Sequence, residues 1–177
     1  TIGETGAKGF TGKNDFENAL TCANHIQQGI KKYAAYIAKP NIITLNYLCA
    51  YTHFCNRNFN ACLDVLLNLF AIKESESITD LYCDSKMMQM LCHFELGDIL
   101  LIDSLITAFN RLTTIKKVKT QTYKVVIKYM RQTLRNPDKK TTAGLLTQLQ
   151  ELAEKETEKN TFNNFNYFYW LEKVRKL

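Results

Sequence analysis

An internal repeat with a constant offset of forty residues runs through the middle of the chain. The segment NYLCAYTHFCNRNFNACLDVLLNLF at 46–70 aligns with KMMQMLCHFELGDILLIDSLITAFN at 86–110, which places His53 on His93. In each copy, apolar residues recur three and four positions apart, stop at a short polar break and then resume, as in two amphipathic helices. A repeat of this length indicates stacked units, each too thin to bury its own apolar face. Each copy is therefore predicted to be a helical hairpin.

The composition supports a helical fold. The chain has 177 residues, 46% of them hydrophobic, and a chain of this length buries roughly 70% of the surface that it exposes when unfolded. It has two prolines and seven glycines, four of them within the first twelve residues, so few residues remain to punctuate strands and turns. We predict an all-α fold with helices near 15–38, 41–57, 59–72, 78–96, 98–114, 119–135, 138–159 and 164–176.

The N-terminal segment TIGETGAKGFTGK has a glycine at every third position. A phosphate-binding loop of the type G-x-x-x-x-G-K-[ST] needs a glycine where this chain has Ala7 and a hydroxyl where it has Asn14. The glycine triplets lack proline and are too few for a collagen helix. We predict an irregular segment at 1–13 and a single domain at 14–177. The chain begins at Thr1 without a methionine, which leaves two alternatives open, a removed signal peptide or a missing N-terminal domain.

The six cysteines lie within apolar helical stretches, and the sequence contains no C-x-x-C pair. Cysteines in this setting are typical of reduced thiols in the core of a cytoplasmic protein. No apolar run approaches the ~18 residues that a membrane-spanning helix requires. We therefore expect a cytoplasmic protein without a transmembrane segment.

The polar breaks resemble the turn of tetratricopeptide repeats, in which a glycine–aspartate–aromatic step joins two helices. The residues that carry this resemblance are ELGDI at 95–99, CNRNF at 55–59 and GKNDFENAL at 12–20. Beyond the N-terminal segment, the order of segments is similar to that in the C-terminal regions of bacterial repeat-containing proteins. This resemblance implies that the chain is the C-terminal part of a longer protein. The resemblance implies an α-solenoid of stacked hairpins, with a right-handed superhelix and a C-terminal capping helix. Cys62 and Ile102 stand where the family has a small residue, so these repeats are divergent.

The same resemblance implies a concave face, lined by the first helix of each hairpin, that binds a protein or peptide partner. The candidate residues are Tyr47, Tyr51, Phe54, Asp84, Met87 and Leu91. Thr44 and Phe94 lie at the two ends of this predicted face. Tyrosines offer a large contact area with one polar group. The alternative is that later helices cover Met87 and Leu91.

Positive charge is concentrated between residues 111 and 140, where ten basic residues accompany one acidic residue. The net charge of this segment is +9 and that of the whole chain is +6, so the rest of the chain has a net charge of −3. Four of the basic residues follow helical spacing and form one stripe on the sixth predicted helix: Lys124, Lys128, Arg131 and Arg135. The stripe could bind nucleic acid or another anion. We favour a solvated helix face, because no base-reading motif accompanies the charge.

Two Cys–His pairs are the candidates for a metal site: Cys49 with His53 on one helix face, and Cys92 beside His93. A zinc site needs four converging ligands, and the usual local spacing is absent. We therefore expect packing roles for these residues and no metal or other cofactor. Neither cysteine adjoins a basic cluster that would activate it, and the glutamates at 151–158 follow a solvated face, so we expect no catalytic centre.

The C-terminal segment FNNFNYFYWLEKVRKL interleaves aromatic residues with asparagines. One interpretation is a platform for stacking nucleic-acid bases. We prefer a capping helix, because the end of a repeat stack needs one apolar and one wet face. Helical spacing would direct Phe165 and Phe168 inward and leave Tyr167 and Trp170 facing outward or across the boundary.

These patterns predict a non-catalytic scaffold for protein–protein interaction. One alternative is a helical module that binds nucleic acid or another anion through the basic stripe. Another is a purely structural end of a longer repeat array without a ligand of its own.

Overall fold

The computed structural model describes residues 13–73, 79–135 and 139–174. These residues form helices, and no β-strand occurs among them, which confirms the all-α prediction for this part of the chain. The helices are α1 (Lys13–Tyr33), α2 (Lys39–Cys55), α3 (Phe59–Phe70), α4 (Thr79–Leu96), α5 (Ile99–Ile115), α6 (Gln121–Arg135), α7 (Lys139–Ala153), α8 (Lys159–Asn164) and α9 (Tyr167–Tyr169). The described residues also form short 3₁₀ turns at Ala34–Tyr36 and Glu156–Glu158 and a π-turn at Trp170–Val174.

The chain divides into two compact units, which we call unit 1 (Thr1–Ile78) and unit 2 (Thr79–Leu177). The single domain predicted for 14–177 and the right-handed superhelix remain predictions. Of the irregular segment predicted at 1–13, every residue except Lys13 lies outside the described residues.

The turn between α2 and α3, in unit 1, ends α2 with a residue in the left-handed conformation. Arg57 has a φ of 60°, which is uncommon for a residue with a side chain. Its N–H donates to the Phe54 carbonyl at 2.9 Å, and the N–H of Asn58 donates to the His53 carbonyl at 2.9 Å. This pair of bonds is the Schellman motif, which satisfies carbonyl groups left open at a helix C-terminus.

The same motif recurs forty residues later, between α4 and α5 of unit 2. Gly97 has a φ of 79°, which glycine adopts without a steric cost. Its N–H donates to the Phe94 carbonyl at 3.3 Å, and the N–H of Asp98 donates to the His93 carbonyl at 3.0 Å. Each copy of the repeat therefore forms a helical hairpin, one in each unit, with an equivalent turn.

In unit 1, α2 packs against both α1 and α3. Pro40 lies in the first turn of α2, where its missing N–H would have no helical partner. The rings of Phe54 and Phe59 meet edge to face at 5.7 Å across the hairpin turn. Below them, Leu66 and Leu69 on α3 are completely buried. Burial of these side chains is the main source of stability for a hairpin of this kind.

In unit 2, an aromatic cluster joins α4, α6 and the C-terminal segment. The ring of Trp170 lies 6.4 Å from that of Phe94 and 5.9 Å from that of Tyr129, both in edge-to-face geometry. The indole N–H of Trp170 donates to Glu95 Oε1 at 2.8 Å, so the polar atom of this buried side chain is satisfied.

The prediction of one continuous helix over 138–159 is wrong. Helix α7 ends at Ala153, and a 3₁₀ turn follows at Glu156–Glu158. The break places Glu158 beside the first residues of α6, where its carboxylate accepts hydrogen bonds from the backbone of Gln121 and Thr122. Glu158 is 1% exposed, whereas the sequence pattern placed it on a solvated face. These tertiary hydrogen bonds outweigh the local helical pattern.

The prediction of one helix over 164–176 is also wrong within the described residues. Helix α8 ends at Asn164, Phe165 is extended, and the helical turns resume at Tyr167. Because this kink changes the register of the side chains, Tyr167 and Trp170 are fully buried rather than facing outward.

Candidate binding surfaces

The residues predicted to line a concave binding face are mostly inaccessible. In unit 1, Tyr47 is 3% and Phe54 is 1% exposed, and only Tyr51 is half-buried. The three residues in unit 2 are buried as well: Asp84, Met87 and Leu91. In this structure these side chains contribute to the core and offer little surface to a partner.

Asp84 connects three helices of unit 2 from a buried position on α4. Its Oδ1 accepts a hydrogen bond from the Tyr123 hydroxyl at 2.6 Å, and its Oδ2 accepts one from Asn164 Nδ2 at 2.7 Å. Burial raises the pKa of this carboxyl to about 7, although both hydrogen bonds act in the opposite direction. Asp84 is therefore a structural link with a pH-dependent charge.

The four residues of the basic stripe are all exposed on α6. They line an open groove of about 380 Å³ that Asn110 of α5 borders. The nearest carboxylate with a described contact belongs to Asp103, whose Oδ1 lies 4.0 Å from Arg131 Nε. Both side chains are largely exposed, so this pair neutralises little of the charge. The stripe is therefore exposed along α6, as its helical spacing predicted.

The two Cys–His pairs lie in different environments, one in each unit. Cys49 and His53 are buried in unit 1, where desolvation raises the pKa of the thiol to about 11 and lowers the pKa of the imidazole. In unit 2, Cys92 is buried, while His93 Nδ1 lies 2.8 Å from Asp98 Oδ2. Among the described residues, no three His, Cys, Asp or Glu side chains converge as metal ligands would.

An open groove of about 660 Å³, here called the unit 1 groove, lies where the end of α1, the start of α2 and the end of α3 meet. Its volume falls within the range usual for ligand pockets. The groove forms because α1 stops at Tyr33 and a 3₁₀ turn with two small side chains leads into α2. Its apolar lining consists of Ile30, Ala34, Ala35, Ile42, Ala71 and Ile72.

The polar lining of the unit 1 groove is cationic or neutral. Three exposed lysines contribute positive charge, and they are Lys31, Lys39 and Lys73. Three amide side chains complete the lining, and they are Gln27, Asn46 and Asn68. Asn46 is buried, and its Nδ2 donates to the Ile42 carbonyl at 2.9 Å. No aspartate or glutamate belongs to the described lining, so the groove combines apolar surface with positive charge.

A second accessible surface lies at the hairpin turn of unit 2 and is here called the α4–α5 turn. Four large aliphatic side chains are exposed within six residues. Leu100 is 98% and Ile99 57% exposed, and Leu96 and Leu101 are about two-fifths exposed. A cluster of this kind on the surface is typical of an interaction site.

The sequence contained a signal for the α4–α5 turn but none for the groove. Residues 99–102 are four consecutive apolar residues at the start of a helix, and one helix face cannot bury all four. Ile102 is buried and the other three are exposed. The lysines of the unit 1 groove come from three separate elements without a common spacing, so only the tertiary structure brings them together.

No helix in the described ranges has the length and apolar character to cross a lipid bilayer. No protein-family model matches the chain, and no curated protein or solved structure is significantly similar to it. The resemblance to tetratricopeptide repeats thus remains a prediction that rests on the residues of the two hairpin turns. At the third segment, 12–20, the prediction of an inter-helix turn is wrong for the described residues, because 13–20 lie within α1.

Proposed function

We propose that the chain is a non-catalytic protein-interaction module of the tetratricopeptide-repeat type, and that its partner binds in the unit 1 groove. The observation that carries this proposal is the groove itself, whose lining joins six apolar residues to three lysines. Apolar contact supplies most of the affinity in such a site, and the charged rim selects the partner. The groove replaces the concave face as the candidate site, because most residues of that face are buried.

The chemistry of the groove favours a partner segment with aliphatic side chains and flanking carboxylates. Ile30 and Ile72 offer apolar surface, while the small side chains of Ala34 and Ala35 leave room for a leucine-sized group. Carboxylates beside that group would lie near Lys31 and Lys73, with no described acidic residue in the lining to oppose them. A basic segment would meet the same lysines as like charges and would be rejected.

The proposal is tested with a fluorescent synthetic peptide of leucines flanked by aspartates, and with a matched peptide that has lysine in place of each aspartate. We expect fluorescence anisotropy to detect binding of the acidic peptide alone, with an affinity that falls as salt rises. Lys31→Glu should weaken binding by about tenfold, since it turns one attraction into a repulsion. Lys32→Glu, the next residue of α1 and outside the groove lining, is the matched control and should have little effect.

Equal binding of the acidic and basic peptides would contradict the proposal, because the lysines would then select nothing. Equal effects of Lys31→Glu and Lys32→Glu would contradict it as well, since net charge rather than the groove would explain the affinity.

A second candidate function is binding of a phosphate-bearing ligand along α6. The observation that favours it is the open groove that the four exposed cations share with Asn110. Four phosphate contacts would make binding strongly dependent on salt. A cytoplasmic location is part of the proposal, and it is supported by the six cysteines, all of which are free thiols in the structure.

A further inference from the structure

The chain carries two accessible surfaces whose chemistry is complementary. The unit 1 groove is apolar and cationic, and the α4–α5 turn of unit 2 is apolar and acidic. We infer that the protein associates with itself head to tail, with the α4–α5 turn of one copy inserted into the unit 1 groove of the next copy. This inference rests on the proposed function and names the partner of that groove as a second copy of the chain.

The α4–α5 turn has the shape and polarity of an insert. Leu100 is 98% exposed at the start of α5, so its whole side chain is available for burial. Ile99 and Leu96 extend the apolar surface on either side of Gly97, whose left-handed conformation makes the turn tight. An aliphatic cluster on a narrow turn can enter a groove that a flat surface could not. Water contact with this cluster is unfavourable, so its burial would favour association.

Charge favours the same pairing. Asp98 and Asp103 flank the exposed leucines, and the side chain of Asp103 is 86% exposed. His93 contacts Asp98 at 2.8 Å, and Arg131 lies 4.0 Å from Asp103, so each carboxylate has one basic neighbour. The ion pair of Asp103 is long and exposed, so water screens it and the carboxylate can still attract a further cation. The three lysines of the groove would supply that cation.

The geometry of such an association is heterologous, because each copy contributes a different surface to each junction. Every copy has one turn and one groove, so addition of copies continues until a ring closes or a filament grows. This differs from a two-fold symmetric dimer, in which both copies contribute the same surface. Because the two surfaces differ, a variant damaged at the turn and a variant damaged at the groove can still pair with each other when they are mixed.

The test is sedimentation of the full chain over a concentration series, with two variants that each damage one surface. Leu100→Asp damages the turn, and Lys31→Glu/Lys73→Glu damages the groove. We expect the unaltered chain to form species larger than dimers, and each variant to associate at least about tenfold more weakly. Leu67→Asp changes another leucine, 59% exposed on α3 and outside the groove lining, and should leave association unchanged.

Mixing the two damaged variants leaves one intact turn and one intact groove. A one-to-one complex that grows no further is the expected result. The inference is overturned if the unaltered chain remains monomeric, if Leu67→Asp has the same effect as Leu100→Asp, or if the mixed variants do not associate. Binding of the acidic peptide by a monomeric chain would overturn self-association alone, whereas loss of peptide binding as well would also overturn the proposed function.

Discussion

The buried carboxylate of Glu158 ties the C-terminal part of unit 2 to the first residues of α6. Its Oε1 accepts from the Gln121 N–H at 2.8 Å, and its Oε2 accepts from the N–H and hydroxyl of Thr122 at 3.1 and 2.9 Å. The first amide groups of a helix have no partner within the helix, and a negative charge beside them interacts favourably with the helix dipole. Glu158 therefore caps α6 from a distant position in the sequence.

Glu158→Gln is the perturbation that tests this cap, because it preserves the shape of the side chain while removing the charge and one acceptor. One of the donors on α6 would then face an amide NH₂ group and lose its hydrogen bond. A hydrogen bond to a charged group contributes about 1.5–3 kcal/mol, and a buried donor without a partner costs about 1–3 kcal/mol. Removal of the buried charge offsets part of this loss, so we expect the free energy of unfolding to fall by about 2 kcal/mol.

The assay is urea denaturation followed by the fluorescence of Trp170, the only tryptophan in the chain, which is buried in the same unit. Glu156→Gln is the matched control, because it removes the same charge from the same 3₁₀ turn. The Glu156 side chain is 81% exposed and pairs with Lys159 on the surface. Glu156→Gln should therefore lower the free energy of unfolding by less than about 0.5 kcal/mol. Equal losses for the two variants would refute the capping argument.

Three further outcomes follow from the same structure. For Asp84, burial raises the pKa to about 7, so the folded state keeps a proton that the unfolded state releases above its ordinary value of 3.8. This contribution to stability is complete below pH 3.8 and disappears as the pH rises to about 7. The difference between the two pKa values corresponds to a pH dependence on the order of 4 kcal/mol in the free energy of unfolding, which urea denaturation at several pH values should show and Asp84→Asn should remove. For the basic stripe, we expect no submicromolar binding of short nucleic acids at physiological salt in anisotropy titrations; tight, salt-sensitive binding that reversal of the four charges abolishes would favour the second candidate function. Removal of metal by a chelator should leave the melting temperature unchanged, whereas a loss of several degrees would indicate a metal site at the Cys–His pairs.

The hairpins were predictable from the sequence because their determinants are local. The offset of forty residues places Arg57 and Gly97 at equivalent positions, and both adopt a positive φ within the same hydrogen-bond pattern. Apolar spacing of three and four residues is enough to predict the helices on either side.

The break after α7 was not predictable from the local sequence. The segment LTQLQELAEKETEKN contains neither proline nor glycine, and its residues favour a helix. The helix ends because Glu158 binds the backbone of α6, and the partners of that bond are 36 and 37 residues away in the sequence. The unit 1 groove was missed for a similar reason, since its lining comes from three elements that only the fold brings together.

Photo-cross-linking shows directly whether the unit 1 groove holds a partner segment. A photoreactive amino acid is placed at Ala35, which lines the groove, and in a separate variant at Ala143, an exposed alanine on α7. Each variant is irradiated with the acidic peptide and the products are analysed by mass spectrometry. We expect the peptide to be attached at position 35 and not at position 143, with less product when unlabelled peptide competes. Attachment at both positions to the same extent, or at position 143 alone, would contradict the account.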